Sequence, residues 1–422
     1  MRKLLKYLSS LRYVGCYVAL VGVVLSAAVS FGVYPKVAVV ADAPVDPDEY
    51  GVLGFGLWKN GTLSPYPDDQ PTIRRGPVYP AFVAALLMAT NGWYPYSVQA
   101  AQCVLFGLTC LMVFWISKTL WNANVALLAS GVCAFHPFLI WYTSRIWVET
   151  LTTFLFTALF ASALYLSLRP TKLRTVVVGC ILGISVLSKA TFLPFIVIVP
   201  LLLGWVKDRK IGWRLAWGTL PVALVIVFPW TVRNWNLTGK LIPVHLGAGY
   251  TCYIGDSVVE TWTQSPFSHI DHFHIGHKKA LSLMEPSITG ELKRWETEVL
   301  SESILRKDCI ARYVEDPWFF VRKLALNSWR FWIIGGTTPK TALISIVQIP
   351  LLVFFMLSTI RTLKQKRLRT IQGTMLSLVW LYFLFHLPVL AKARLSLPLV
   401  PTMLICVFGL LESALNGGER ST

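Results

Sequence analysis

The sequence predicts an all-α polytopic membrane protein, and three observations carry that prediction. The chain has 422 residues, 55% of them hydrophobic and only 14% charged, whereas soluble domains carry about 25% charged residues. Its apolar residues gather in runs of about 20, the length an α-helix needs to cross a hydrocarbon core about 30 Å thick. The excess of Lys and Arg, a formal net charge of +18, sits in short clusters between those runs. Cytoplasmic loops of membrane proteins are marked in this way, so the charge points to a bilayer and not to nucleic acid.

The elements follow in chain order. MRKLLKYLSSLR leads into an apolar run at about 13–34, longer than the roughly 7–15 residues of a signal-peptide core, and reads as an uncleaved first span with a cytoplasmic start. Further runs suited to spanning fall near 96–117, 125–141, 149–168, 175–188, 190–206, 214–231, 341–360, 371–390 and 395–412. RRGPVYPAFVAALL at 74–87 opens another candidate at 76–92, and loop charge decides against counting it. If 76–92 does not cross, the N-terminus and the basic loops 118–124, 169–174, 207–214 and 361–369 all lie inside, as the positive-inside bias requires. If it crosses, the last three move outside. The segment is therefore a re-entrant or juxtamembrane helix on the outer face, bent at its start by Pro77 and Pro80.

Three parts result: an N-terminal transmembrane module at 1–231 with an outer-face loop at 34–95, a small extracytoplasmic cap at 232–340, and C-terminal spans at 341–422. Within the cap, Leu305, Cys309 and Tyr313 recur at helical spacing. Asp316-Pro317 reads as an N-cap with proline at the first helical position, opening a second helix through WFFVRKLALNSWRFW.

Several groups could carry chemistry. In VDPDEY, residues 45–50, Asp46 can cap a helix with Pro47 at its first position, while Asp48 and Glu49 favour the positive end of the helix dipole. The same three carboxylates, beside the outer surface, could supply a general base or hold a divalent metal ion. Arg74 and Arg75 are either interfacial anchors or ligands for a lipid phosphate. Glu149, Lys189, Arg233, Lys392 and Arg394 stand at the ends of spans, where charges usually face a cavity or a partner. His269, His272, His274 and His277, with Asp271, match no standard helical ligand pair and read as a solvated loop. His136-Pro137 marks a kink. Cys252 and Cys309 are the two cysteines in the long polar segment and could pair in an oxidising compartment. Walker A, GxSxG and GxGxxG patterns are missing from the sequence, which argues against a soluble nucleotide substrate.

Taken in order, Asp46 with Tyr50, RRGPVYPAF, HPFLIWYTSRIWVET, GISVLSKATFLP, PWTVRNWNLTG and ARLSLPLVP resemble the GT-C class of membrane glycosyltransferases over about 13–412. Among them the pattern is similar to bacterial relatives of protein O-mannosyltransferases and lipid A aminoarabinose transferases. The resemblance implies a GT-C-type bundle of about 10–12 transmembrane helices and a polyprenyl-phosphate-linked sugar donor. It implies inverting transfer to a lipid, glycan or protein acceptor on the extracytoplasmic face of the inner or plasma membrane. By the same resemblance Asp46 is the catalytic carboxylate, with Asp48 and Glu49 as rivals because Pro47 breaks the family pattern, and Glu149 is a second acidic group. Arg74, Arg75, Lys189, Arg233 and Arg394, with Tyr79 beside them, would hold the donor. A divalent metal ion on Asp46, Glu49 and Glu149 is the cofactor these residues could bind. The alternative is a transporter or flippase of polyprenyl-linked glycans, which would place its ionisable residues nearer the midplane; here they gather at one face.

Overall fold

Each apolar run folds as helix, and no strand forms among the described residues. The computed structural model describes residues 13–36, 45–46, 48–206, 209–262, 267, 270–287, 292–365 and 370–418. Six helices are long and apolar enough to cross a membrane. These are α1 (Val14–Lys36), α4 (Tyr96–Leu120), α7 (Val148–Leu168), Leu215–Thr238 within α10 (Arg209–Thr238), α15 (Thr338–Lys364), and Ala393–Ala414, a 3₁₀ stretch (Ala393–Leu399) continuing into α17 (Val400–Gly418). The run near 125–141 breaks into α5 (Ala123–Ala134) and α6 (Pro137–Thr143), bent by 52°. His136 stands at the break, its Nδ1 accepting the Leu139 N–H at 3.3 Å, where the sequence placed a kink.

The other expected spans are shorter. α8 (Lys172–Ser188) has 17 residues and α16 (Ile371–His386) has 16, while a 3₁₀ turn at Ala190–Phe192 precedes α9 (Phe195–Val206). At about 1.5 Å per residue, α8 and α16 reach about 25 Å. α3 (Val78–Ala89) has 12 residues, about 18 Å, well short of a hydrocarbon core of about 30 Å. It packs beside α2 (Tyr50–Asn60) through Tyr50, Tyr79, Val83 and Leu87, which share a core with Ile146 and Leu151.

Lipid tails are as apolar as leucine, so spans associate through close packing and not through escape from water. α8 shows how. Gly179 and Gly183 face α10 at GxxxG spacing, where an added Cβ would come within 2.6 Å of Val222 Cβ and 2.7 Å of Ile226 Cβ. The bundle centre is aromatic, with Phe156, Phe192, Phe195 and Tyr382 at edge-on or tilted angles.

The cap consists of α11 (Ala248–Thr261), α12 (Ile270–Met284), α13 (Arg294–Glu315) and α14 (Pro317–Ile333). Leu305 and Cys309 are buried against Tyr253, Ile254 and Val258, as their helical spacing predicts. Asp316 caps α14 by accepting the Phe319 N–H at 3.0 Å, with Pro317 in the first turn. The histidine segment is not a solvated loop. His272 is fully buried in α12 and its ring bonds Thr261, and His277 Nδ1 pairs with the Tyr250 hydroxyl at 2.9 Å. His269 and the side chain of Asp271 lie outside the described residues.

Candidate active site

Asp46 is committed to the start of α2. Its Oδ1 accepts the Tyr50 N–H at 2.8 Å and its Oδ2 accepts the Gly51 N–H at 2.6 Å, with the Tyr94 hydroxyl donating at 3.2 Å. These satisfy N–H groups that the first helical turn leaves without partners. The helix therefore begins at Tyr50, four residues beyond its capping carboxylate, and not at Pro47, which lies outside the described residues. Burial raises the Asp46 carboxyl above its ordinary value, while the Gly51 and Tyr50 hydrogen bonds pull it back. Glu49 takes a left-handed conformation at φ 60° and is exposed.

Asp48 faces the bundle and meets basic residues from distant parts of the chain. Its Oδ2 lies 3.1 Å from Arg394 Nη2 and its Oδ1 lies 3.7 Å from Arg75 Nη2. Arg394 Nε is in turn 3.5 Å from Glu149 Oε1, and Lys189 Nζ is 4.0 Å from the same oxygen. Burial works against ionisation of Asp48, but Arg394, Arg75 and Lys392 outweigh it and hold the carboxyl down at about 2. Lys392 moves the other way: burial, then the charge of Arg394, bring it down to about 7.

Secondary structure explains the convergence. Glu149 opens α7, Lys189 follows the last turn of α8, and Arg394 begins the 3₁₀ stretch before α17. Those helix ends all lie at one end of the bundle. Gly76 seats the arginine loop there, since a Cβ would fall 2.2 Å from the Leu187 carbonyl oxygen, two residues before Lys189. Trp147 forms a platform, with the Arg394 guanidinium 4.5 Å and the Arg145 guanidinium 4.2 Å from its ring and Tyr142 stacked at 5.1 Å. A small cavity lined by Phe106, Thr109, Tyr142, Glu149, Thr150 and Thr153 adjoins the cluster.

The cluster is paired but not saturated. Glu149 Oε2, Lys189 Nζ and Arg394 Nε are buried and make no hydrogen bond; their ion pairs are long, at 3.5 and 4.0 Å. Unmet buried polar groups cost free energy, and two cation nitrogens without hydrogen bonds beside such a carboxylate oxygen suit an anion that also carries hydroxyls.

Other expected site residues go elsewhere. Tyr79 is fully buried, with its hydroxyl donated to Gln102 Oε1 at 2.8 Å and its ring against Tyr50 at 4.9 Å; it packs the core and is not a phosphate ligand. Arg233 donates to the Thr72 carbonyl at 2.9 Å and braces the arginine loop from behind. Arg74 is exposed, 5.2 Å over the Tyr250 ring. Asp46, Glu49 and Glu149 do not form a ligand set. Among the described residues, the group of metal-type ligand atoms lying within 4.8 Å of one another is Cys252, Asp256 and Cys309, in the cap. The physical reason is that Asp46 is saturated by backbone N–H groups, while Arg394 and Lys189 already stand against Glu149. Trp147 is the site residue the sequence reading missed; its one signal was an aromatic ring two positions before Glu149.

No family model and no curated protein sequence matches the chain. Solved structures do. The chain is similar to an apo crystal structure of the Archaeoglobus fulgidus oligosaccharyltransferase at TM-score 0.55 and 13% identity, over 97% of this chain and 52% of that one. It is similar to the oligosaccharyltransferase AglB of the same organism, in complex with an inhibitory peptide and a dolichol-phosphate, at TM-score 0.53 and 12% identity, over 97% of this chain and 51% of that one. ArnT from Cupriavidus metallidurans matches at TM-score 0.39 and 13% identity, over 90% of this chain and 76% of that one, a likeness too low to build on. The chain has the GT-C fold of membrane glycosyltransferases and spans about half the length of the archaeal chains it matches.

Proposed function

We propose that the chain is a membrane glycosyltransferase that moves a sugar from a polyprenyl-phosphate-linked donor to an acceptor hydroxyl, with inversion, on the extracytoplasmic face. The observation that carries the reading is the trio of buried atoms without a hydrogen bond, Lys189 Nζ, Arg394 Nε and Glu149 Oε2, beside Asp48. A donor phosphate satisfies the two cations, and a sugar hydroxyl satisfies the carboxylate. The archaeal neighbour in complex with a dolichol-phosphate supports a lipid phosphate in this fold.

The chemistry follows from which groups compete. A phosphate that takes Arg75 and Arg394 releases Asp48 from the guanidiniums that keep it a weak base. Asp48 then accepts the acceptor's proton as the acceptor oxygen attacks the anomeric carbon. The bond from that carbon to the phosphate oxygen breaks on the opposite face, and the polyprenyl phosphate leaves with the electron pair. It needs no acid, because it departs as an anion already facing cations. Glu149 holds Arg394 and Lys189 in place and takes a sugar hydroxyl at Oε2. Asp46, Glu49 and Glu149 form no ligand set among the described residues, and the steps above use this chain's own side chains.

The test is transfer by the purified chain, in lipid nanodiscs, from a panel of polyprenyl-phosphate sugars. Arg394→Ala and Glu149→Gln are expected to lower transfer about a hundredfold or more in chains that keep their thermal midpoint. Movement of intact polyprenyl-linked glycan across proteoliposomes, with no cleavage of the sugar–phosphate bond, would replace the enzyme with a transporter.

A further inference from the structure

Cys252 on α11 and Cys309 on α13 face each other inside the cap. Their sulfurs and an Asp256 carboxylate oxygen all lie within 4.8 Å of one another, and both thiols are free. The same three atoms could be taken for a metal centre, but a cation already occupies the cluster. Lys323 Nζ, on a side chain with no solvent exposure, donates to Asp256 Oδ1 at 2.7 Å, the Tyr313 hydroxyl at 2.8 Å and the Cys252 carbonyl at 2.9 Å. Arg312 Nη1 stands 3.5 Å from the other Asp256 oxygen. A metal ion would have to displace a buried ammonium that has three hydrogen bonds.

What the ammonium does for sulfur is different. Lys323 Nζ is 3.5 Å from Cys252 Sγ, and the Tyr313 hydroxyl is 3.0 Å from it. The ammonium charge favours a thiolate at this distance, while the Tyr313 hydroxyl donates to Asp256 Oδ1 at 2.7 Å. Cys252 is half-buried, whereas Cys309 is 1% exposed. The two thiols are therefore not equivalent. The neighbouring Cys309 thiol, then the Lys323 ammonium acting against burial, bring Cys252 down to about 6, and Cys309, facing Cys252 and buried, is pushed up.

We infer that Cys252 and Cys309 are a reactive thiol pair that takes up a disulfide by exchange with an oxidised dithiol or glutathione-type disulfide, and that the bond braces the arginine loop. In the first step the Cys252 thiolate attacks one sulfur of the incoming disulfide and expels the other as a thiolate. That thiolate takes the Cys309 proton, and the Cys309 thiolate attacks the Cys252 sulfur, expelling the second partner sulfur as a thiolate. The chain loses two electrons and the partner disulfide gains them; the second partner thiolate takes from water the proton that Cys252 had given up.

The bond joins the two helices that hold residues 72–75. From α13, Glu298 accepts from the Thr72 hydroxyl at 2.5 Å and the Ile73 N–H at 2.8 Å, and Glu302 accepts the Gly249 N–H at 2.6 Å. From α11, Tyr250 supplies the ring beneath Arg74. The inference stands apart from the transfer reaction, because its readout is the thiols themselves.

The test uses the full chain in detergent, equilibrated with oxidised and reduced glutathione, quenched with a maleimide and measured by intact mass and peptide mapping. Expected is a single cross-link between Cys252 and Cys309, with a rise in thermal midpoint of about 5 °C. In Cys309→Ser, Cys252 should stop at the glutathione mixed disulfide; in Cys252→Ser, Cys309 should stay a free thiol. Wild-type thiols that remain fully alkylated in oxidised glutathione would overturn the inference. So would a stoichiometric zinc ion that co-purifies and shields both sulfurs.

Discussion

Both oxygens of Asp46 accept backbone N–H groups, from Tyr50 and Gly51, while the Asp48 carboxylate faces the Arg394 guanidinium at 3.1 Å and the Arg75 guanidinium at 3.7 Å. The two carboxylates should therefore answer differently to the same substitution. Asp46→Asn keeps one oxygen for capping and loses the other; we expect a cost of about 1 kcal/mol in stability and near-normal transfer. Asp48→Asn keeps the shape and loses the base; transfer should fall about 10²–10⁴-fold with the fold intact. Side-by-side rates and melting curves decide it, and a dead but stable Asp46→Asn would return the catalytic role to that residue. The sequence could not separate the two, because three carboxylates within four positions look alike until the backbone turns. The left-handed φ of Glu49 and the start of α2 at Tyr50 point one carboxylate at the helix and another at the bundle, and neither has a compositional sign. Glu149, Lys189 and Arg394 were legible because charge at the end of an apolar run is costly without a reason.

At the scale of elements, the arginine loop depends on Gly76 lying against the end of α8. A methyl group there meets the Leu187 carbonyl oxygen, a backbone atom that cannot turn aside. We expect Gly76→Ala to displace Arg75 and raise KM for the lipid donor about tenfold, in line with an overpacking cost of about 1–3 kcal/mol. Gly131→Ala is the control, since nothing lies within 4 Å of its added carbon; equal KM for both variants would mean the loop is not seated by this contact. Apolar runs marked the spans, and His136-Pro137 marked the 52° bend between α5 and α6. The histidine segment misled because its polar composition hid a helical spacing: Phe273, Ala280 and Met284 pack into the core of the cap from α12. Histidine rings then pack in the cap beside aromatic ones, as His272 against Trp262 and His277 against Phe273 show.

Across the whole molecule, helix ends sort by charge. The turns near Asn122, Pro170 and Gln365 carry Lys118, Arg169, Lys172, Arg174, Arg361 and Lys364 at one end of the bundle, and the Asp48–Glu149 cluster lies at the other. Reporters fused after Glu49 and after Asn91 should both signal the outer face, and one after Pro170 the cytoplasm; a cytoplasmic signal after Asn91 would mean that α3 crosses. This division was readable because loop charge is a bulk property of the sequence, whereas the pairing of Asp48 with Arg394 joins residues from opposite ends of the chain. That pairing also bears on turnover. Arg75, Arg394 and Lys189, with Lys392 beside them, leave the cluster with an excess of positive charge over Asp48 and Glu149. In the proposed reaction a phosphodiester donor brings one negative charge to that excess. The polyprenyl phosphate it leaves behind is a monoester with nearly two charges at neutral pH, so the spent carrier binds more tightly than the loaded one. In the proposed reaction the departure of the empty lipid is then the expected slow event, read as a burst of one transfer per chain before steady turnover.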